Sequence, residues 1–141
     1  MGDRHTHLTT ARRLIDQKAG PVLFHSAEYE TAPWGKTDQP NFLNQALQIE
    51  TDLSPIDLLQ MLKAIEKEVG RTETEKWGPR IIDIDILFYG DMVVDHPDLQ
   101  VPHPYLAERS FALRPLAELV PDFVHPTLHV TVEEMLKACA E

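Results

Sequence analysis

The chain has 141 residues, 43% of them hydrophobic, and sets 13 Lys and Arg against 23 Asp and Glu for a formal net charge of -10. Such a chain is expected to fold as one domain over 1–141 around a real core, and its acidity argues against nonspecific nucleic-acid or anionic-membrane binding, which needs a basic face. A lone Cys139 allows no internal disulfide, and the polar start carries no secretory or membrane-spanning segment, so a cytoplasmic monomer is the expectation. In chain order, Leu8, Ala11, Leu14 and Ile15 recur at helical spacing over 7–18, and Gly20-Pro21 stops that helix. Residues 22–30 alternate loosely as a strand, 31–41 make a long loop rich in Pro and Gly, and 42–50 return as a second strand. Ser54-Pro55-Ile56-Asp57 opens a second helix with a serine cap and a first-turn proline; Leu58, Leu59, Met61, Leu62 and Ile65 form its buried face, and Gly70 ends it. A loop over 71–79 leads to a strand over 81–89, a Gly90-Asp91 turn, a short strand over 92–94, helices over 107–119 and 132–140, and a surface bend at 121–126. These elements make an α+β protein, with helices packed on a largely antiparallel sheet.

The chemistry concentrates in Lys76-Trp77-Gly78-Pro79-Arg80-Ile81-Ile82-Asp83-Ile84-Asp85-Ile86-Leu87. Side chains switch faces at every step of a strand, so Asp83 and Asp85 share one face while Ile82, Ile84 and Ile86 face the core. Alternate strand residues lie roughly 6.5 to 7 Å apart at Cα, close enough for two carboxylates to converge on one small cation or an adjacent pair, and Mg²⁺ is the natural candidate. Arg80, on a chain stiffened by Pro79, offers a planar guanidinium to a phosphate that the metal also touches. A D-x-D on a strand is by itself most often a solvated acidic face; the Trp-Gly-Pro-Arg turn directly upstream tips the balance toward a ligand site.

The twelve-residue run resembles the signature of the 6-hydroxymethyl-7,8-dihydropterin pyrophosphokinase family, enzymes of folate biosynthesis. The likeness continues in order through Tyr29-Glu30-Thr31-Ala32-Pro33-Trp34-Gly35, Asp38-Gln39-Pro40-Asn41-Phe42-Leu43-Asn44 and Val101-Pro102-His103-Pro104. It implies a ferredoxin-like fold and transfer of pyrophosphate from ATP to the hydroxymethyl group of the pterin, with release of AMP and two Mg²⁺ ions held by Asp83 and Asp85. By the same resemblance Arg80, Arg71, Asp83 and Asp85 are catalytic. Lys63, Glu66, Arg71, Arg80, Ile86, His103 and Arg109 would bind ATP. Thr31, Ala32, Trp34, Phe42, Asn44, Trp77, Asp83 and Phe111 would bind the pterin, with Trp77 and Phe111 sandwiching its ring.

Plainer roles compete at several positions. Glu66 at a helix end is ordinarily solvated, Arg71 suits a helix C-terminus anyway, His103 between two prolines suits a turn, and Phe111 suits a core. Phe42 and Asn44 could form a surface cross-strand pair. In the resembled family a first strand runs into a Gly-Ser-Asn-Leu-Gly-Asp-Arg loop, and Gly2-Asp3-Arg4 resembles the tail of that loop, which accounts for these residues better than a myristoylation pattern. That strand sits mid-sheet, so its absence is expected to leave backbone groups unpaired and the core open; a misassigned start or a truncated chain would explain it. The chain also departs from the family at Arg71-Thr72-Glu73-Thr74-Glu75-Lys76, short and acidic where some members carry a second arginine, and at Tyr105, displaced by one position from a family tyrosine. Other functional readings are a catalytically inactive pterin- or nucleotide-binding module and a D-x-D nucleotide-sugar transferase, the latter lacking a dinucleotide-binding half. His125 and His129 flank Pro126 without a third ligand, so no structural zinc is expected.

Overall fold

A computed structural model describes residues 4–31, 42–71 and 82–139. The first helix, α1 (Arg4–Lys18), begins three residues before the apolar pattern and buries Ala11, Leu14 and Ile15 as that pattern predicts. The chain leaves it through Gly20, whose φ of +153° lies outside the range of most L residues. A Cβ there would stand 1.9 Å from the Glu50 carbonyl oxygen, so only glycine lets the two segments pass.

Each of the two strands expected over 22–30 and 42–50 is broken in the middle. The first becomes β1 (Val22–His25) and β2 (Tyr29–Thr31), the second β3 (Phe42–Asn44) and β4 (Leu47–Ile49). β1 pairs antiparallel with β4 through a bulge between Val22 and Phe24, and β2 pairs antiparallel with β3, Thr31 facing Phe42. The break comes from Ser26, which is only 1% exposed. Its hydroxyl accepts the Ala46 N–H at 2.9 Å and donates to the Ala27 carbonyl at 2.7 Å, while the Gln45 amide donates to the Ser26 carbonyl at 2.7 Å. A side-chain hydroxyl thus replaces a ladder group, and the ribbon turns there.

The second helix, α2 (Pro55–Arg71), starts where Ser54 and Pro55 predict, with the Asp57 N–H donating to the Ser54 hydroxyl at 3.2 Å. Residues 82–89 form neither helix nor strand and pair with no strand among the described residues, which corrects the strand expected over 81–89. The short strand expected over 92–94 lies two residues later as β5 (Val94–His96), joined by Pro97-Asp98 to β6 (Leu99–Val101). The helix expected over 107–119 divides into a 3-10 turn (Leu106–Glu108) and α3 (Ser110–Leu119). The last helix, α4 (Val132–Ala138), is set by a reciprocal capping box between Thr131 and Glu134 and is shorter than the 132–140 pattern.

The architecture is therefore α+β with antiparallel pairing, but as three separate two-stranded pairs rather than one sheet among the described residues. Two apolar clusters hold it. One joins α1 and α2 to β1, β4 and Ile82, Ile84 and Ile86; the other joins α3, α4 and the 3-10 turn to Leu87, Phe88 and Phe123. Between them lies a cavity of about 580 Å³. Among the described residues no helix is long and apolar enough to cross a membrane.

Ser26→Ala removes an acceptor from the buried Ala46 N–H and is expected to destabilise the fold by about 1–3 kcal/mol, read as a lower urea midpoint with an unchanged slope.

Candidate active site

The site is built on the segment 82–89, which has no strand neighbour among the described residues and is held from the side. The Glu66 carboxylate on α2 accepts the Ile84 N–H at 2.6 Å. The His103 N–H donates to the Leu87 carbonyl at 3.0 Å, and the Tyr89 hydroxyl donates to the Leu53 carbonyl. With the backbone fixed in this way, the apolar–acidic alternation resolves as expected: Ile86 is buried, Ile82 and Ile84 are half-buried against the first cluster, and Asp83 and Asp85 are exposed. The sequence reading assigned Glu66 to the nucleotide; here its carboxylate also orients both aspartates, since Ile84 lies between them.

Asp85 and Ile86 open onto a cleft of about 300 Å³, whose other walls are Leu59 of α2, His103, Pro104 and the Pro97–Gln100 end of the β5–β6 hairpin. This hairpin wall was missed from sequence, although Pro97-Asp98 between two apolar runs is a turn signal. The half-buried His103 accepts the Tyr105 N–H on Nδ1 at 3.2 Å, so its neutral form carries the proton on Nε2 and can donate it into the cleft. Burial lowers the His103 pKa from 6.5, the Arg109 guanidinium lowers it further, and the Asp85 carboxylate partly opposes both. The Arg109 guanidinium stands 5.5 Å from the Phe111 ring centre and 5.9 Å from that of Tyr105, and the His103 and Tyr105 rings meet edge-on at 6.2 Å. Tyr105, left unassigned in the sequence reading, therefore belongs to the same cluster as His103, Arg109 and Phe111.

A second group forms on the β2–β3 pair. Thr31 faces Phe42 directly, and the Asn44 amide donates to the Thr31 hydroxyl at 3.0 Å. Phe42 is 54% exposed, a large aromatic surface open to a flat ligand. α3, which starts beside Arg109 and Phe111, packs against this pair. Lys63 is exposed on α2 one turn before Glu66, and Arg71 is the last residue of that helix. Ala32, Trp34, Trp77 and Arg80 lie outside the described residues.

The donor set fits Mg²⁺. Asp83 and Asp85 present exposed carboxylate oxygens, and no cluster of three or more His, Cys, Asp or Glu that could enclose an ion occurs among the described residues. Mg²⁺ is commonly bound this way, through one or two carboxylates, with water and substrate phosphates completing its shell. Two exposed carboxylates beside a histidine donor and a guanidinium form an arrangement suited to handling phosphate with a metal.

Comparison with known proteins agrees with that chemistry. Residues 1–121 match the family described as 7,8-dihydro-6-hydroxymethylpterin-pyrophosphokinase, and the chain belongs to that family. It is 49% identical over 134 residues to a 2-amino-4-hydroxy-6-hydroxymethyldihydropteridine pyrophosphokinase of Aquifex aeolicus, covering 95% of this chain and 83% of that protein. It is 45% identical over 120 residues to the protein of the same name in Bacillus subtilis, covering 84% of this chain and 72% of that one. A folic acid synthesis protein of Dictyostelium discoideum is 39% identical over 135 residues, which are 96% of this chain but only 20% of that longer protein.

Because the folded-state pKa of His103 is depressed, its neutral form contributes stability that is present above pH 6.5 and is lost as pH falls through the folded value. In an NMR titration its ring signals are expected to move with a midpoint below 6.5; Arg109→Ala should bring that midpoint closer to 6.5.

Proposed function

We infer that this chain transfers pyrophosphate from ATP to the hydroxymethyl oxygen of 6-hydroxymethyl-7,8-dihydropterin, releasing AMP. The observation that carries this reading is the exposed Asp83–Asp85 pair, fixed through Ile84, with Asp85 opening onto a cleft with His103, in a chain whose relatives are named for this transfer. The pterin hydroxyl oxygen forms a bond to the β-phosphorus as the bond from that phosphorus to the oxygen bridging the α-phosphate breaks, so AMP leaves with the bridging oxygen. Mg²⁺ bound with ATP would neutralise phosphate charge and acidify the attacking hydroxyl.

The chain's own groups have positional and electrostatic roles in this reading. Asp83 and Asp85 would hold two Mg²⁺ ions, and Asp83 would also face the pterin. His103, neutral at pH 7, donates from Nε2 to a phosphate oxygen, and Arg109 beside it adds positive charge. Ile86 packs on the nucleotide at the cleft wall, with Lys63 and Glu66 on the neighbouring helix. Arg71 and Arg80 stabilise charge that develops on the transferred group. The pterin lies on Thr31, Ala32, Trp34, Phe42 and Asn44, whose amide offers both donor and acceptor to a ring edge that carries both. Trp77 and Phe111 stack on its two faces, each stack worth on the order of 1–3 kcal/mol by analogy with base stacking.

Incubation with Mg-ATP is expected to yield AMP only when the pterin is added. Asp83→Asn and Asp85→Asn should each lower that turnover by at least about a hundredfold with the fold retained, while Arg80→Ala should lower kcat more than it raises KM. AMP release that ignores the pterin, or near-normal turnover in both aspartate variants, would overturn the reading.

A further inference from the structure

By the proposed reading the pterin meets two separate elements. The β2–β3 pair brings Thr31, Phe42 and Asn44, and α3 brings Phe111 in its first turn. The β2–β3 pair belongs to no larger sheet among the described residues, and the break at Ser26 divides it from β1 and β4. Its placement against α3 therefore depends on side chains.

One side chain of α3 takes hold of it. The Glu118 carboxylate accepts the Ala27 N–H on both oxygens at 3.2 Å, and the Tyr29 hydroxyl donates to its Oε1 at 2.6 Å. Ala27 and Tyr29 bracket the entry to β2, so a single carboxylate fixes both the backbone leaving the Ser26 break and the first residue of the strand. The hydrogen bond to Glu118 raises the Tyr29 pKa above 10.0, and burial and the carboxylate charge act in the same direction.

Tyr29 stands directly opposite Asn44, and Thr31 directly opposite Phe42. Opposed and alternate residues of an antiparallel pair share a face, so the gripped tyrosine lies on the face that carries Thr31, Phe42 and Asn44. Glu30, on the other face, pairs instead with Arg4 of α1 at 3.6 Å. Along α3, Glu118 follows Phe111 by nearly two full turns, which puts both on one side of the helix about 10.5 Å apart along its axis.

We propose that Glu118 is a positioning residue for the pterin: through Ala27 and Tyr29 it sets the separation between Phe111 and the Thr31–Phe42–Asn44 face, and so the fit of a flat ring between them. This role rests on the pyrophosphoryl-transfer reading and adds to it a residue that acts without touching either substrate.

The test measures initial rates of pterin-dependent AMP release over a grid of pterin and Mg-ATP concentrations, for the wild-type chain, Glu118→Ala, Glu118→Gln and Tyr29→Phe. Glu118→Ala is expected to raise the pterin KM at least about tenfold, while the ATP KM and kcat at saturation stay within about threefold of the wild type. Tyr29→Phe keeps the ring and leaves the Ala27 bond in place, so its pterin KM should rise by about threefold. Glu118→Gln, whose side-chain oxygen still accepts a hydrogen bond, should return close to the wild-type value. If Glu118→Ala fails to fold, Tyr29→Phe and Glu118→Gln decide the matter. The role is overturned if the pterin KM is unchanged in Glu118→Ala and Tyr29→Phe, if the ATP KM and kcat suffer as much as the pterin KM, or if Glu118→Gln is as impaired as Glu118→Ala. A wild-type chain that releases no AMP with the pterin would overturn the transfer reading itself, and this role with it.

Discussion

The arrangement of the site depends on one acceptor. The Glu66 carboxylate takes the Ile84 N–H at 2.6 Å and so pins a segment that has no neighbouring strand among the described residues. A strand's faces are decided by its backbone orientation, and a rotation that turned Ile84 outward would bury both aspartates. A charged acceptor is suited to this task because hydrogen bonds to carboxylates are roughly twice as strong as neutral ones. The isoleucines supply the complementary force: Ile82, Ile84 and Ile86 pack on the α1–α2 cluster and make the opposite orientation costly. Polar pinning and apolar packing therefore act on the same five residues in the same direction.

The parts of this design that depend on local periodicity were legible in the sequence. Leu8, Ala11, Leu14 and Ile15 gave away α1, Ser54 and Pro55 the start of α2, and the Ile–Asp alternation the exposed carboxylates, because each is a property of neighbouring residues. The parts that depend on distant partners were not. Nothing near Ser26 indicates that its hydroxyl would meet the Ala46 N–H twenty residues away and break two strands at once. That 82–89 join no strand pair among the described residues is likewise invisible from within that segment. Tyr105 joined the cluster of His103 and Arg109 only because the 3-10 turn folds it back. Glu66 illustrates the middle case: its position was singled out, but the backbone group that it holds became apparent only in three dimensions.

The cleft at His103 and the gap beside β4 differ in character. The cleft at His103 is small and mixed, with a carboxylate, an imidazole and a hairpin turn at its rim, as a site for a charged, oriented ligand requires. The gap beside β4 is larger and lined by apolar side chains from both clusters together with Arg12, Gln45, Asp83 and Asp85. The segment 82–89 lines both, so the order of its two carboxylates and the order of the core are linked through one stretch of chain.

The most direct measurement compares Glu66→Ala with Glu66→Gln, following exchange of the Ile84 amide together with pterin-dependent AMP release from Mg-ATP. The account predicts that the alanine variant speeds Ile84 exchange by about tenfold or more and loses most turnover, while glutamine, whose side-chain oxygen still accepts the N–H, recovers much of both. Unchanged exchange and unchanged turnover in Glu66→Ala would contradict it, because the carboxylates would then be held in place without the bond on which the site is argued to depend.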